Sequence, residues 1–479
     1  MNFATKAFMI FLPCVLLIYH SLPTRRLKFT FLLLASWGFY ASWNPWYLWV
    51  ILFTTTVDYT AGRLIAVART PAGKRGWLVA SLLANLGLLA YFKYTLFAVQ
   101  NGIWLAEMLG YSATAPDWAL RIILPLGISF HTFQGISYTI DVYRGKLPAV
   151  RSYRDFALFV AFFPQLVAGP IVRASEFLPQ LVQPPRVSAA QVQAGLQLCI
   201  YGLFKKVFIA DRLGQDFVDV VFADPAGFAP ATHALAMLAY MAQIYCDFSG
   251  YSDLAVGCAK FFGFEIPRNF NFPYLATSIT DFWRRWHITL SSWLRDYLYI
   301  SLGGNRAGTL RTYANLVVTM TACGLWHGAS WGYVLWGVYN GLLLSAHRVW
   351  DRFAQRRAWV EAVRAHPLYR GLAWAATMWL VATGLVLVRT QDLATAWVFE
   401  SALLGLGPAT PGAAVWLPVW VWAMVGLVAV EHGLGGTHQP GWALQTWPSV
   451  VRAAVCGAAV VLLVVLGPWV SRPFIYFQF

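Results

Sequence analysis

An all-α, polytopic integral membrane protein is the fold class this sequence predicts. Hydrophobic residues make up 59% of the 479 positions and charged residues only 11%. Apolar runs long enough to cross a bilayer recur along the whole length. Soluble domains carry about 25% charged residues, and a chain with under half that share cannot cover a water-facing surface. A bilayer, by contrast, asks for helices with about 17–25 apolar residues each.

The elements follow in order. Residues 7–22 form the first span. No small-residue cleavage site follows it, and YHSLPTRR runs straight into more apolar sequence, so this span is expected to be retained rather than cleaved as a signal peptide. Residues 29–60 read as a hairpin broken at Asn44-Pro45, because proline removes a helical donor and restricts the residue before it. Clear spans follow at 77–99, 191–210, 232–248, 310–346 (two spans), 369–389, 413–430 and 449–470. The segments 120–140 and 155–172 carry Pro and Gly and read either as spans or as re-entrant or broken helices. No linker separates soluble domains, so residues 1–479 are expected to form a single transmembrane domain. No internal repeat of the kind common in secondary transporters is evident.

The formal charge is +15, from 35 Lys+Arg against 20 Asp+Glu. Basic loops facing the cytoplasm explain this excess, and nothing in the chain suggests nucleic-acid binding. Four loops carry the cations: Arg25, Arg26 and Lys28; Arg63, Arg69, Lys74 and Arg75; Arg144, Lys146, Arg151 and Arg154; and Arg352, Arg356, Arg357, Arg364 and Arg370. All four fit one scheme, in which the N-terminus and the last residues, SRPFIYFQF, lie on the outer side. The six cysteines sit in or beside apolar runs, with no CxxC pair or Cys/His cluster. They read as buried small hydrophobes, and no metal site is expected.

Polar groups inside apolar sequence are costly and call for a reason. Asp247 and Asp253, in AYMAQIYCDFSGYSDLAVG, are open to two readings: a proton path, or pairing with the arginines of residues 284–295. Pairing is favoured. His131, in ISFHTFQGISY, reads as a hydrogen-bonded structural histidine. Along 281–300, Phe282, Trp286, Leu290, Trp293, Tyr297 and Ile300 recur at steps of three and four, which predicts one amphipathic helix at the interface or along a cavity. Such a helix presents Arg284, Arg285 or Arg295 either to a phosphate-bearing ligand or to lipid headgroups.

Two histidines stand out in Asp281–Trp331. His287 follows Trp286 on the amphipathic segment, and His327 lies between Gly324 and Gly328 inside an apolar run. Small residues leave room for a cavity beside His327. A poorly hydrated imidazole stays neutral, and a neutral imidazole takes a proton from a hydroxyl that attacks an acyl carbonyl. No GxSxG elbow lies near it, and direct transfer from thioester to alcohol needs none.

DFWRRWHITLSSWLRDYLYISLGGNR followed by GLWHGASWGYVLWGVYNG resembles the membrane-bound O-acyltransferase superfamily, most closely its bacterial branch for polysaccharide O-acetylation, including alginate. ILPLGISFHTFQGISYTIDVYRG, FFPQLVAGPIVRASEFLPQL and QIYCDFSGYSDLAVGCAKFFGFEIPRNFNFPY fit as well, so the likeness covers about residues 29–348 and the extreme C-terminus. It implies a ring of tilted helices around a central tunnel in the bacterial inner membrane. His327 would be catalytic and His287 either catalytic or substrate-positioning. It implies no bound cofactor, with acetyl-CoA as the cytoplasmic donor substrate, approached by Arg284, Arg285 and Trp326. A periplasmic partner would finish the transfer to a polysaccharide acceptor. Within the tail 471–479, the stretch FIYFQF resembles a tyrosine-containing motif of related acyl-transfer systems. Tyr476 would then enter the tunnel as an acyl relay; an interfacial aromatic anchor is the equal alternative. A membrane transporter of a polysaccharide or small molecule is the competing function. It would require a continuous polar path, such as one through Asp247 and Asp253.

Overall fold

The computed structural model describes residues 3, 5–167, 169–183, 186–306, 308–390, 392–406, 413–437, 448–466 and 474. Helices account for the regular structure of these residues; among them only an isolated bridge, Phe228 to Ala414, pairs extended backbone. Among the described residues, four helices are long and apolar enough to cross a membrane: Pro45–Val67, Pro71–Met108, Ala189–Ala223 and Pro367–Thr390. Shorter apolar helices include Lys6–Ser21 and Leu393–Leu403. The chain divides into two compact units, one of Met1–Cys199 with Leu254–Pro267, the other of Ile200–Asp253 with Arg268–Phe479.

In the first unit, one long helix turns polar side chains inward and apolar ones outward. The 38-residue helix Pro71–Met108 buries only Ser81, Asn85 and Leu89. It exposes Trp77, Leu83, Leu86 and Trp104, as a lipid-facing helix does. Ser81 Oγ and Asn85 Nδ2 both donate to Asp58 Oδ1, at 2.7 and 2.8 Å. A buried carboxyl is tolerable only with such donors. The break at Asn44-Pro45 is as expected: Asn44 Oδ1 accepts from Trp46 N at 3.1 Å, with the proline in the first turn. His131 Nδ1 lies 3.4 Å from Thr54 Oγ1 in the buried helix Ile128–Tyr143, which fits a structural role. The segment 155–172 is a broken helix: Tyr153–Ala161 stops at Phe162, and a single turn, Phe163–Leu166, follows. The freed amide of Phe163 donates to Ser36 Oγ at 3.2 Å.

The second unit carries the histidines. Thr309–His327 and Trp331–Gln355 form a tight helical hairpin, so the run 310–346 is indeed two elements. Glycines set the closeness. A Cβ on Gly324 would lie 2.1 Å from the Tyr333 carbonyl oxygen, one on Gly337 2.4 Å from that of Met320, and one on Gly341 2.6 Å from Val317 Cα. Small residues allow two backbones to approach in this way.

The arginine pairing expected for Asp247 and Asp253 is not found. Asp247 pairs with Lys206, which also bonds Asp211 at 2.6 Å, and Asp253 pairs with Lys205. Both lysines are buried, in the π-helical turns Phe204–Asp211. Arg285 is instead held by Asp281 at 3.0 Å and Arg295 by Asp296 at 2.7 Å. Each arginine therefore has an acid one helical turn away or adjacent to it, whereas the buried acids need cations at their own depth.

Candidate active site

The segment 281–300 is not one helix. Ile279–Arg285 ends at Trp286, Ile288–Trp293 begins after His287, and a π-helical turn, Leu294–Tyr299, completes it. The apolar periodicity is real, since Phe282, Trp286, Leu290, Trp293 and Tyr297 are all buried. Ile300, the last of the series, is 55% exposed. The break lies at His287, whose backbone is left-handed (φ 42°, ψ 55°). Only two non-glycine residues have positive φ among the described residues, and one is this histidine. The conformation costs roughly 1–2 kcal/mol for an L-residue, so the surroundings must hold it.

Asn269 does much of that holding. Its carbonyl accepts from Ile288 N at 2.8 Å, its side-chain oxygen accepts from Thr289 Oγ1 at 2.6 Å, and its Nδ2 donates to Ser252 Oγ at 3.1 Å. Asn271 N donates to the Arg285 carbonyl at 2.9 Å. The extended stretch 269–271 thus braces the turn on both sides of His287. Phe248 seats the imidazole edge-on, with centroids 4.5 Å apart. His287 is fully buried, and neither ring nitrogen has a hydrogen-bond partner among the described residues. Buried polar atoms nearly always have partners, so two open nitrogens suit a ligand rather than a packing role.

His327 is the last residue of its helix. Its imidazole lies 6.3 Å from that of His287, at 62°. Trp326 stands beside both, 5.9 Å from His287 and 5.0 Å from His327. Trp336 meets His327 edge-on at 5.3 Å and Tyr333 stacks at 6.4 Å. A Cβ on Gly328 would lie 2.2 Å from the Tyr333 ring, which explains the glycine after His327. Trp283 donates its indole N–H to Asn340 Oδ1 at 3.2 Å and so ties the Ile279–Arg285 helix to the second arm of the hairpin. The result is a pair of buried imidazoles in an aromatic wall. They can accept a proton from a bound hydroxyl and return it to a leaving group.

The other site candidates divide. Trp326 joins the histidines. Arg285 is half-buried and tied to Asp281 and to the Asn271 carbonyl, at 3.0 and 3.3 Å, so it stabilises the turn. Arg284 is exposed and lines a separate cleft of about 620 Å³ with His347, Arg364 and Arg370. Tyr476 lies outside the described residues. Phe474, two positions earlier, is described: fully buried, it packs on Phe248 at 5.3 Å and Tyr251 at 4.7 Å. Phe248 therefore touches both His287 and Phe474. Sequence reasoning passed over Asn269, Asn340 and Phe248, because their work is to hold backbone and rings. The one available signal was Asn269 within the polar-interrupted stretch IPRNFNFPY.

Comparison with known proteins fits this geometry. Residues 149–385 match the model of the MBOAT, membrane-bound O-acyltransferase family. A probable alginate O-acetylase of Azotobacter vinelandii is 41% identical over 412 residues, 85% of this chain and 79% of that one. The chain belongs to the membrane-bound O-acyltransferase family. It is an O-acyltransferase and, with its apolar helices, an integral membrane protein. A peptidoglycan O-acetyltransferase of Helicobacter pylori is 40% identical over 353 residues, 68% of this chain and 65% of its own. More distant is a teichoic acid D-alanyltransferase of Bacillus subtilis, 27% identical over 262 residues, 51% of this chain and 64% of its own. The family match spans both histidines and the whole hairpin that carries His327.

Proposed function

We propose that this enzyme transfers acetyl groups from cytoplasmic acetyl-CoA, across the bacterial inner membrane, for O-acetylation of an exported or cell-wall polysaccharide. The observation that carries the reading is the buried pair His287 and His327, 6.3 Å apart, in a family of O-acyltransferases. The names of the relatives, alginate O-acetylase and peptidoglycan O-acetyltransferase, support an acetyl group and a polysaccharide acceptor.

In this reading His327 is the base. It takes the proton of a hydroxyl as the hydroxyl oxygen attacks the thioester carbonyl carbon. The C–S bond breaks, the imidazolium returns the proton to the leaving thiolate, and the acetyl group is left as an ester. His287 steadies the carbonyl or shares the proton. Catalysis rests on holding the hydroxyl, the thioester and the base together in a site closed to water. The attacking hydroxyl is that of Tyr476, which then passes the acetyl group to a periplasmic partner protein. The position of Phe474 against Phe248 supports a tail that reaches the site. A two-residue step covers at most about 7 Å.

Incubation of the purified protein with radiolabelled acetyl-CoA, followed by peptide mapping, tests this. Label on Tyr476 in the wild type and none in Tyr476→Phe is expected. An adduct elsewhere, or full transfer by Tyr476→Phe, rules out the relay. Transport of a polysaccharide without acetyl-CoA would instead favour the competing reading, against which stands the pairing of Asp247 and Asp253 with buried lysines.

A further inference from the structure

A cleft of about 730 Å³ in the first unit is lined by Arg25, Arg26, Thr30, Ser152 and Arg154. Two segments far apart in sequence build it. Arg25 and Arg26 open the helix Arg25–Ala41. Arg154 lies in the first turn of Tyr153–Ala161, beside its capping residue Ser152. Arg154 Nη1 donates to the Arg26 carbonyl at 3.5 Å, which ties the two helix starts together. Arg154 is also paired with Asp155 at 2.6 Å. Arg25 donates to the Val182 carbonyl at 2.9 Å, and neither Arg25 nor Arg26 has an ion pair among the described residues.

These charges oppose one another. A helix start carries partial positive charge and favours acids. Arg25–Ala41 instead begins Arg25, Arg26, Leu27, Lys28, with no acid in its first turn. An anion held in the cleft relieves both the repulsion among the guanidiniums and their conflict with the helix dipole. Guanidiniums match phosphate oxygens in donor geometry, and the Thr30 and Ser152 hydroxyls add neutral donors.

The same helix points to the source of the phosphate. Leu27 and Leu34, seven residues apart and so on one face, are 48% and 56% exposed. An apolar face running on from the guanidiniums suits acyl chains, whereas a soluble phosphate leaves it unused. The positive-inside rule assigns both arginine segments to the cytoplasmic side, where anionic lipids gather at basic pockets between helices.

We infer that this cleft binds the phosphate headgroup of an anionic glycerophospholipid, with Arg25 and Arg26 as its ligands and Leu27 and Leu34 against its acyl chains. Two cations without an ion pair favour a headgroup with two phosphates, as in cardiolipin, over one with a single phosphate. The bound lipid bridges the starts of Arg25–Ala41 and Tyr153–Ala161 and so stabilises the first unit. The inference is independent of the acetyl-CoA reading.

Full-length protein in detergent, stripped of lipid, is titrated with cardiolipin, phosphatidylglycerol and phosphatidylcholine, and separately with inorganic pyrophosphate. Binding is read by native mass spectrometry and by the shift in Tm. Cardiolipin is expected to bind wild type at least tenfold more tightly than phosphatidylcholine does, with phosphatidylglycerol between them, and to raise Tm. Arg26→Gln should weaken cardiolipin binding at least threefold, and Arg25→Gln with Arg26→Gln at least tenfold. Both side chains are exposed, so the variants are expected to fold. Arg75→Gln, at an exposed cation of the Pro71–Met108 helix, should bind like wild type. Equal cardiolipin binding by wild type and the double variant would overturn the inference. An equal loss in Arg75→Gln would do the same, by showing attraction to surface charge in general. Pyrophosphate binding as tight as that of cardiolipin, and lost in the double variant, would mark a soluble phosphate ligand and overturn the lipid assignment.

Discussion

The imidazoles of His287 and His327 lie 6.3 Å apart at 62°, although the two residues belong to different helical elements. One caps a helix from a left-handed turn; the other ends a helix against a glycine. The backbone on either side sets where each ring lies. The ring nitrogens of His287 have no hydrogen-bond partner among the described residues, and the two imidazoles are carried by two separate helical elements.

The left-handed turn makes His287 unusually testable. His287→Asn removes the imidazole, yet asparagine accepts this backbone conformation better than most residues. The variant should fold with wild-type thermal stability and lose about 10²–10⁴ in kcat, the range for a lost acid–base group. His287→Ala should lose the same activity and also about 1 kcal/mol of stability from strain. Wild-type kcat in His287→Asn would remove this residue from the mechanism.

Asn269 is expected to act through His287. Asn269→Ala deletes the side-chain bonds to Thr289 and Ser252, at a cost of about 1–3 kcal/mol for the buried groups left behind. The loss should appear in kcat more than in KM for the donor, since the histidine is displaced. Thr289→Val, which loses only one of those bonds, should give a smaller effect. Equal loss of activity in both variants would point to general destabilisation.

The buried lysines predict a thermodynamic pattern. Lys206→Met leaves Asp211 and Asp247 without their shared cation and should cost about 3–5 kcal/mol. Adding Asp211→Asn and Asp247→Asn should restore much of it, as read by thermal denaturation in detergent. A Lys206→Met protein of normal stability but no activity would revive the proton-path reading of these acids.

The hairpin glycines separate two kinds of position. Gly324→Ala drives a Cβ into the Tyr333 carbonyl, and little folded protein should accumulate. Gly87→Ala, in an open stretch of the Pro71–Met108 helix, should be neutral or stabilise by roughly 0.5–1 kcal/mol. Size-exclusion profiles of the two variants decide this.

Much of the fold was legible because membrane helices are long and their signal is simple. The break at Asn44-Pro45, the hairpin at Gly328 and the interrupted segment 155–172 all follow from proline and glycine chemistry. The site was legible as residue types, since His327 and His287 are polar groups where polarity is costly. Their meeting was not, because it depends on contacts that leave no periodicity: the brace from Asn269, the seat on Phe248 and the glycine-spaced hairpin. The single helix expected over 281–300 failed for a related reason. The apolar spacing survives a break at His287 because the short helices on either side keep facing the same core. The partners of Asp247 and Asp253 were misjudged because Lys205 and Lys206 lie inside a span, where loop-based charge counting does not look.

The proposed role of His327, to move the proton in acyl transfer, is open to a direct assay. Purified wild type and His327→Ala, matched for folding by size exclusion, are given acetyl-CoA with a hydroxyl acceptor, and release of free thiol is followed. Wild type is expected to release thiol steadily with acetyl ester formed, and His327→Ala to lose at least about 10² in rate with the protein still in the membrane. Turnover at the wild-type rate in His327→Ala would contradict it.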